Sequence, residues 1–485
     1  MTIEVASEVA ARAQVDHELV RRLHAQVLER LTGPPNGDGP GGQRLSQGDQ
    51  RQRARTWLVQ ALKAEARQRI HHGLPPLSPA EEDAVVRAVE AQLWGLGRLQ
   101  ALLDLPDVED IHITGSERPV LRMRDGSVRI AAEPIADSDE DLIRQIQHIA
   151  AHHAHSERAF SPSQPTLNMR LPDGSRLAAM RDVVPRPTVT IRRHHLVDVT
   201  LTDLLNAGML SLGMARFVQA VVRARCSMLV TGPPGSGKTT VLRALAREIP
   251  PGERVATIET EFELDLHLLR QANPLLVAME ARPGSTEIDP ATGRRAGEMT
   301  LADLLHQTLR MSVTRVIVGE VRGGEALPML EAMTAGMPGS MCTLHAASAG
   351  EAMERLVTAA LKAAGQGWSD GFVTRLAAQG IDYIIQLRHL EHPALGGRAR
   401  VVSEIAEVTG ITETGAIALN RIFAPTPTGT SAEMGAAGDP RGRFQMAPQH
   451  RSAFEEAGVG LNFLREPDVD MWAAPRARRA ARRTA

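Results

Sequence analysis

Cysteine, aromatic rings and lysine are all scarce in this chain of 485 residues. Two cysteines, Cys226 and Cys342, cannot form a disulfide framework, which argues against a stapled secreted scaffold and predicts reduced, buried thiols. Aromatic residues are 3% of the chain and the formal net charge is −2, so a globally basic, base-stacking nucleic-acid binder is disfavoured. No apolar run approaches the length of a membrane span. The opening Met1-Thr-Ile-Glu-Val-Ala-Ser-Glu has neither the basic nor the apolar region of a secretory signal, so a cytoplasmic location is expected. Only Lys63, Lys238 and Lys362 are lysine, so 52 of the 55 basic residues are arginine. A lysine kept in such a chain marks a place that needs a compact ammonium.

Lys238 stands in such a place. Gly232-Pro-Pro-Gly-Ser-Gly-Lys238-Thr239 matches the spacing of a phosphate-binding loop, and its flanks agree. Before it, Ser227-Met-Leu-Val-Thr231 reads as a buried strand. After it, 240–248 reads as a helix with Val241, Leu242 and Leu245 on one face. Gly232, Gly235 and Gly237 let backbone N–H groups curl around phosphate oxygens, and the helix N-terminus adds partial positive charge. Pro233, Pro234, Ser236 and Thr240 complete the loop. Lys238 is placed to reach the β- and γ-phosphates of ATP, and the Thr239 hydroxyl to ligand Mg²⁺.

The length predicts two domains with appended segments. Residues 1–50 read as an appendage, with one amphipathic helix at 15–31 and a flexible linker from Gly33 to Gly42. Residues 51–196 read as an α+β domain led by two helices, the second capped at Ser78-Pro-Ala-Glu81. Short alternating segments follow, with hairpin turns at Asp125-Gly126 and Pro172-Asp-Gly174. His148, His152, His153 and His155 form a cluster without cysteine or acid at ligand spacing, which predicts a solvated helix end, not a metal site. From 197 to 423, strands alternate with helices and the chain closes on an antiparallel hairpin, the pattern of an α/β sheet covered by helices. Residues 424–485 lack periodicity and read as a disordered tail. Its final arginines, Arg476, Arg478, Arg479, Arg482 and Arg483, are expected to be solvated, with anionic lipid or RNA as the alternative contact.

Two strands of the α/β region end in carboxylates. Arg315-Val-Ile-Val-Gly-Glu320 places an acid where Mg²⁺ is held through a water. Val255-Ala-Thr-Ile-Glu259 ends likewise. If its strand neighbours the loop strand, Glu259 faces the γ-phosphate and can deprotonate an attacking water. Solvated strand-end glutamates are the alternative.

The ordered set of Gly232–Thr239, the acidic box Thr257-Ile-Glu-Thr-Glu-Phe-Glu-Leu264, Val318-Gly-Glu-Val-Arg-Gly-Gly-Glu-Ala326 and Gly339-Ser-Met-Cys-Thr-Leu-His-Ala346 resembles the type II/type IV secretion ATPase superfamily. Glu280-Ala-Arg-Pro283 and Leu309-Arg-Met311 are most similar to its tight-adherence (Flp) pilus assembly branch. The resemblance implies a RecA-like P-loop ATPase domain after a smaller α+β domain, in a hexameric ring that hydrolyses ATP. It also implies a pilus or secretion platform protein in the inner membrane as partner, with the chain peripheral to that membrane. By the same resemblance Glu259 activates water, Glu320 is the Walker B acid, and His345 lies near the γ-phosphate. Arg176 and Arg192 match N-domain arginines that close over phosphates, and Arg282 and Arg310 match further arginines near the site. Without the resemblance, His345 also reads as a packed core histidine and Arg176 and Arg192 as ordinary strand-surface arginines. The family commonly has Glu-Asp where this chain has Glu259-Thr260. That departure keeps a non-hydrolysing, nucleotide-gated scaffold open as an alternative, beside a nucleic-acid translocase.

Overall fold

The computed structural model describes residues 4–5, 16–32, 47–105, 107–123, 126–153, 160–193, 198–269, 273–284, 287–392, 397–425 and 439–473. The expected linker at 33–42, His155 and the terminal arginines at 476–483 lie outside them. The chain divides into two compact units, Met1–His195 and Leu196–Ala485.

In the first unit come β1 (Glu4–Val5), α1 (His17–Thr32), α2 (Gln47–His71), α3 (Pro79–Trp94) and α4 (Leu99–Leu103), then β2 (Val108–Thr114), β3 (Val120–Met123) and β4 (Val128–Ile130). After α5 (Asp139–His153) follow β5 (Thr166–Arg170), β6 (Arg176–Met180) and β7 (Thr188–Arg192). Ser78 and Glu81 form a reciprocal capping box with Pro79 in the first turn, which fixes the start of α3. Leu19, Leu23 and Val27 of α1 pack with Ala54, Leu58 and Leu62 of α2 and Val85 and Val89 of α3. The first helix is therefore not an appendage. Its apolar stripe leaves water by packing against the two helices that follow. The sheet runs β1-β4-β3-β2-β7-β6-β5, antiparallel except for β1 with β4. Alternate strand residues such as Ile111, Leu121, Leu177 and Ile191 bury against Leu142, Ile146 and Ile149 of α5.

The second unit holds α6 (Leu201–Asn206), α7 (Leu212–Arg223), β8 (Met228–Thr231), α8 (Lys238–Arg247), β9 (Val255–Glu259), β10 (Val277–Glu280), α9 (Leu301–Thr308), β11 (Arg315–Val318), α10 (Ala326–Thr334) and β12 (Met341–Leu344). It continues through α11 (Ala349–Ala364), α12 (Asp370–Gly380), β13 (Tyr383–His392), β14 (Gly397–Ile411), β15 (Ile417–Ala424), β16 (Arg443–Phe444) and α13 (Ser452–Glu456). Its sheet runs β10-β9-β11-β12-β8-β13-β14-β15-β16, parallel through β13 and antiparallel beyond. Every residue of β8, β9, β11 and β12 is buried, as in strands covered on both faces, with the polar residues mostly at the strand ends.

Residues 439–473 overturn the expectation of a disordered tail. They return to the second unit, where β16 pairs with β15 and Phe454 and Leu464 are buried. Phe454 meets Phe217 and Tyr383 at ring-centroid distances of 6.2 Å each. The buried Glu407 carboxylate accepts the amides of Gln449 and His450, both at 2.8 Å. The amides of Leu212 and Gly213 donate to Met471 O and Val469 O at 2.9 Å. A Cβ on Gly213 would lie 2.4 Å from Val469, so only glycine admits this approach. Anchors about ten residues apart, at Phe444, Phe454 and Leu464, carry neither helical nor strand period, which is why the segment had no pattern to read. Phe454→Ala is expected to destabilise the second unit by about 3–5 kcal/mol, read from denaturant unfolding. An unchanged midpoint would show the segment to be dispensable.

Candidate functional site

The polar chemistry of the second unit gathers where its parallel strands end. Thr231 closes β8, and the chain turns through Gly232–Gly237 into α8. Gly237 sits at φ +96° as the N-cap, and Gly232, at φ +152°, approaches so closely that a Cβ would stand 2.8 Å from Leu387 O and Ser236 Oγ. Gly235, exposed in the middle of the turn, takes φ +72°, and its carbonyl accepts Arg400 Nε at 2.8 Å. The loop geometry therefore depends on glycine. Lys238 is 7% exposed, and its ammonium donates to Gly232 O at 3.1 Å, Pro233 O at 3.3 Å and His345 Nδ1 at 2.9 Å. Burial lowers its pKa, opposed by the Glu320 and Glu263 carboxylates.

Strand register explains why these three side chains meet. Leu344 of β12 is opposite Thr231 of β8, and Val318 of β11 is opposite Cys342 of β12. His345 and Glu320 thus leave the sheet level with the loop. An ammonium only donates, so His345 Nδ1 accepts and the ring proton is assigned to Nε2, which stands 2.7 Å from Glu320 Oε1. That approach is off the hydrogen-bonding line, and Glu320 Oε1 is buried without a hydrogen-bond partner. Arg322 Nη2 binds the other oxygen.

Glu259 is 3% exposed at the end of β9. The condition that its strand adjoin the loop strand is not met, since β11 and β12 stand between, a separation of about 14 Å at ordinary strand spacing. Glu259 reaches the carboxyl end of the sheet through the gap left by Gly319, where a Cβ would stand 3.0 Å from Glu259 Cγ. Its Oε1 accepts the amides of Glu263 and Leu264 at 2.9 and 2.8 Å, while Oε2 is buried without a hydrogen-bond partner. Burial pushes this carboxyl up to about 7, against the pull of both amides, with Glu263 and Asp265 adding to the push. The carboxylate beside Thr239 is that of Glu263, whose Oε2 accepts the Thr239 hydroxyl at 3.4 Å.

Two further arginines are not brought to the loop. Arg282 follows β10, four strands from β8, and its Nε donates to Gly297 O at 2.6 Å. Arg310 follows α9 beside Met311, whose carbonyl binds Arg254 at the amino end of β9, the opposite end of the strands from the loop. Arg176 and Arg192 belong to the first unit and face each other across β6 and β7. The same cross-strand row contains Arg170 opposite Arg176, Asp110 opposite Arg192 and Arg122 opposite Asp110. Four arginines around one aspartate on a single line make a strongly cationic stripe. Arg170 went unnoticed, although Arg-Leu-Pro-Asp-Gly-Ser-Arg176 at a hairpin turn pairs the two by register. Arg243 was missed as well. Its signal is its place four residues after Thr239, on the same helix face.

The residues present fit a phosphate chain with a divalent cation. Thr231 Oγ1, Ser236 Oγ, Glu259 Oε2, Glu320 Oε1 and Gln386 Oε1 are all buried without hydrogen-bond partners, and all lie in the loop or where β8, β9, β11 and β13 reach its level. Leaving a buried polar atom unpartnered costs about 1–3 kcal/mol, so their concentration at one end marks a polar ligand site.

A model of the family described as type II/IV secretion system protein matches residues 101–391, more than half of the chain. A Mycobacterium tuberculosis protein named for conjugal transfer is 30% identical over 289 residues, covering 58% of this chain and 77% of that one. The type IV secretion system protein PtlH of Bordetella pertussis is 34% identical over 223 residues, 41% of this chain and 62% of its own. Among solved structures, the VirB11 ATPase of the Brucella suis type IV secretion system, in complex with sulphate, is 25% identical. That alignment covers 67% of this chain and 96% of the other at a TM-score of 0.33, too loose a superposition to argue from.

The raised pKa of Glu259 can be read directly. The carboxylate infrared band that disappears in Glu259→Gln is expected to titrate with a midpoint of about 7. A midpoint in the ordinary carboxyl range would mean that water reaches the side chain.

Proposed function

This chain belongs to the type II/IV secretion system protein family, and on that footing we propose that it is an ATP-hydrolysing motor working as a hexameric ring. The reading places it at the cytoplasmic face of the inner membrane, gripping a platform protein of a Flp-type pilus or secretion system. Among the described residues no helix is long and apolar enough to cross a membrane, which suits attachment through such a partner. The observation that carries the reading is the line Lys238–His345–Glu320 at the ends of β8, β12 and β11, with the buried Glu259 carboxyl beside it.

In this mechanism the backbone N–H groups of Gly235–Thr240 and the Lys238 ammonium bind the β- and γ-phosphates of ATP. Thr239 and Glu320 would hold Mg²⁺, which would supply positive charge against the phosphate oxygens. Glu259 Oε2 accepts the proton of the attacking water, for which a pKa of about 7 is well matched. His345, fixed by Lys238, keeps its ring between the ammonium and Glu320. By the resemblance, Arg176 and Arg192 supply guanidinium charge to the phosphates during hydrolysis.

Below pH 7 Glu259 is protonated and cannot accept a proton, so kcat is expected to rise through pH 7 and level off above 8. Lys238→Ala should abolish phosphate release. Glu259→Gln should still bind ATP while hydrolysis falls by about 100-fold or more and the pH limb vanishes. Normal turnover by either variant removes that residue from the mechanism. Thr260 in the acidic box favours a second reading, a nucleotide-gated scaffold, and absence of phosphate release from the native chain would establish it. Native mass measurement is expected to show six copies with ATP and Mg²⁺. A monomer under those conditions overturns the ring.

A further inference from the structure

Arg243 is a charged side chain only 6% exposed, on the helix that begins at the phosphate loop. Its Nε donates to Leu264 O at 3.0 Å and its Nη2 binds Glu263 O. The amides of the same two residues donate to Glu259 Oε1. Glu263 O and Leu264 N belong to one peptide group, which is planar, so a donor that fixes the carbonyl also fixes the direction of the N–H on its far side. A cation on the carbonyl polarises that N–H and strengthens its bond to the carboxylate. The same segment carries the Glu263 side chain to Thr239. Around Glu259 stand Glu263 and Asp265 of its own loop, Glu280 of β10, which accepts the Phe262 amide at 2.9 Å, and Glu320 beyond β11. Lys238 and Arg322 face Glu320 and Glu263 from the phosphate loop and from beyond β11. Arg243 differs from both in that its bonds go to the backbone of the acidic loop itself.

We propose that Arg243 is a positioning residue, which ties the acidic loop to the phosphate-loop helix and, through the 263–264 peptide, aims the Leu264 N–H at Glu259. It touches neither nucleotide nor water in this scheme. The inference rests on the reading of Glu259 as the base, and deepens it by naming what holds that base in place.

The test compares Arg243→Met, which keeps length and apolar packing but removes the donors, with Arg243→Lys, which keeps a cation and a shorter reach. For Arg243→Met in the full chain, kcat is expected to fall on the order of 10- to 100-fold, the effect of one charge-assisted hydrogen bond. ATP affinity should stay within about threefold, because the phosphate loop keeps its own contacts. Arg243→Lys should recover part of the loss. In a Glu259→Gln background, Arg243→Met should cost little more, since both changes act on one group. Hydrogen exchange at the Glu263 and Leu264 amides should speed up in Arg243→Met while Ser236–Thr240 is unchanged. Unaltered kcat and unaltered exchange at those amides overturn the proposal, as does a loss confined to ATP affinity or a full additional loss on Glu259→Gln. If Arg243→Met does not fold, Arg243→Lys carries the same criteria. Should the native chain release no phosphate, the ATPase reading fails, and the exchange measurement alone decides whether Arg243 holds the loop.

Discussion

Register between parallel strands is the constraint on which this molecule depends. Pairing Leu344 with Thr231 and Cys342 with Val318 fixes the level at which three chains leave the sheet, and so fixes Lys238, His345 and Glu320 within contact. The strands themselves are buried throughout and hold no group that could meet water. A sheet covered on both faces has only its two ends for polar chemistry, and the two ends here differ. At the amino end Arg315, fully buried, forms a two-point pair with Glu253 at 2.9 and 3.1 Å and donates to Gly339 O and Val222 O. Arg225 binds the same Glu253 and Thr314 O. That network is closed on itself, and breaking such a pair typically costs about 3–5 kcal/mol. At the carboxyl end several acceptors and hydroxyls are left without partners. One end is built for stability and the other for a ligand.

Much of the loop end could be read in the residues. A fixed glycine spacing, one of only three lysines, and four apolar runs with acids or a histidine just past them point to the right elements. The order of strands could not be read, because nothing in 255–259 records that β11 and β12 intervene before β8. For that reason the side of the sheet on which Arg310 falls, and the distance of Arg282 from the loop, were beyond reach. Arg243 was hidden for a different reason. Among 52 arginines a buried one has no compositional mark, and its bonds to backbone carbonyls distinguish it.

The ends of the chain illustrate the same limit. The stripe of α1 was legible as a helix, but not its docking on α2 and α3, since amphipathicity names a buried face without naming its cover. Residues 439–473 hold position through a few long-range contacts, the Glu407 carboxylate on two amides and Phe454 among rings, and contacts of that kind leave no local period.

Thr260 removes the carboxylate that the acidic box of the resembling superfamily commonly carries beside its glutamate, yet the structure shows that charge near Thr239 does not depend on that position. The loop after Glu259 turns back on itself, with its amides on Glu259, its carbonyls on Arg243 and Glu263 Oε2 at the Thr239 hydroxyl. A carboxylate three residues beyond Thr260 thus occupies the neighbourhood of the hydroxyl, and it does so because the loop is tied at both its N–H and C=O sides. The same folding leaves Glu259 shielded and hard to ionise, with one oxygen bonded and one not. A carboxyl in that state exchanges its proton near neutral pH, which follows from the loop's closure and not from the residue type at 260.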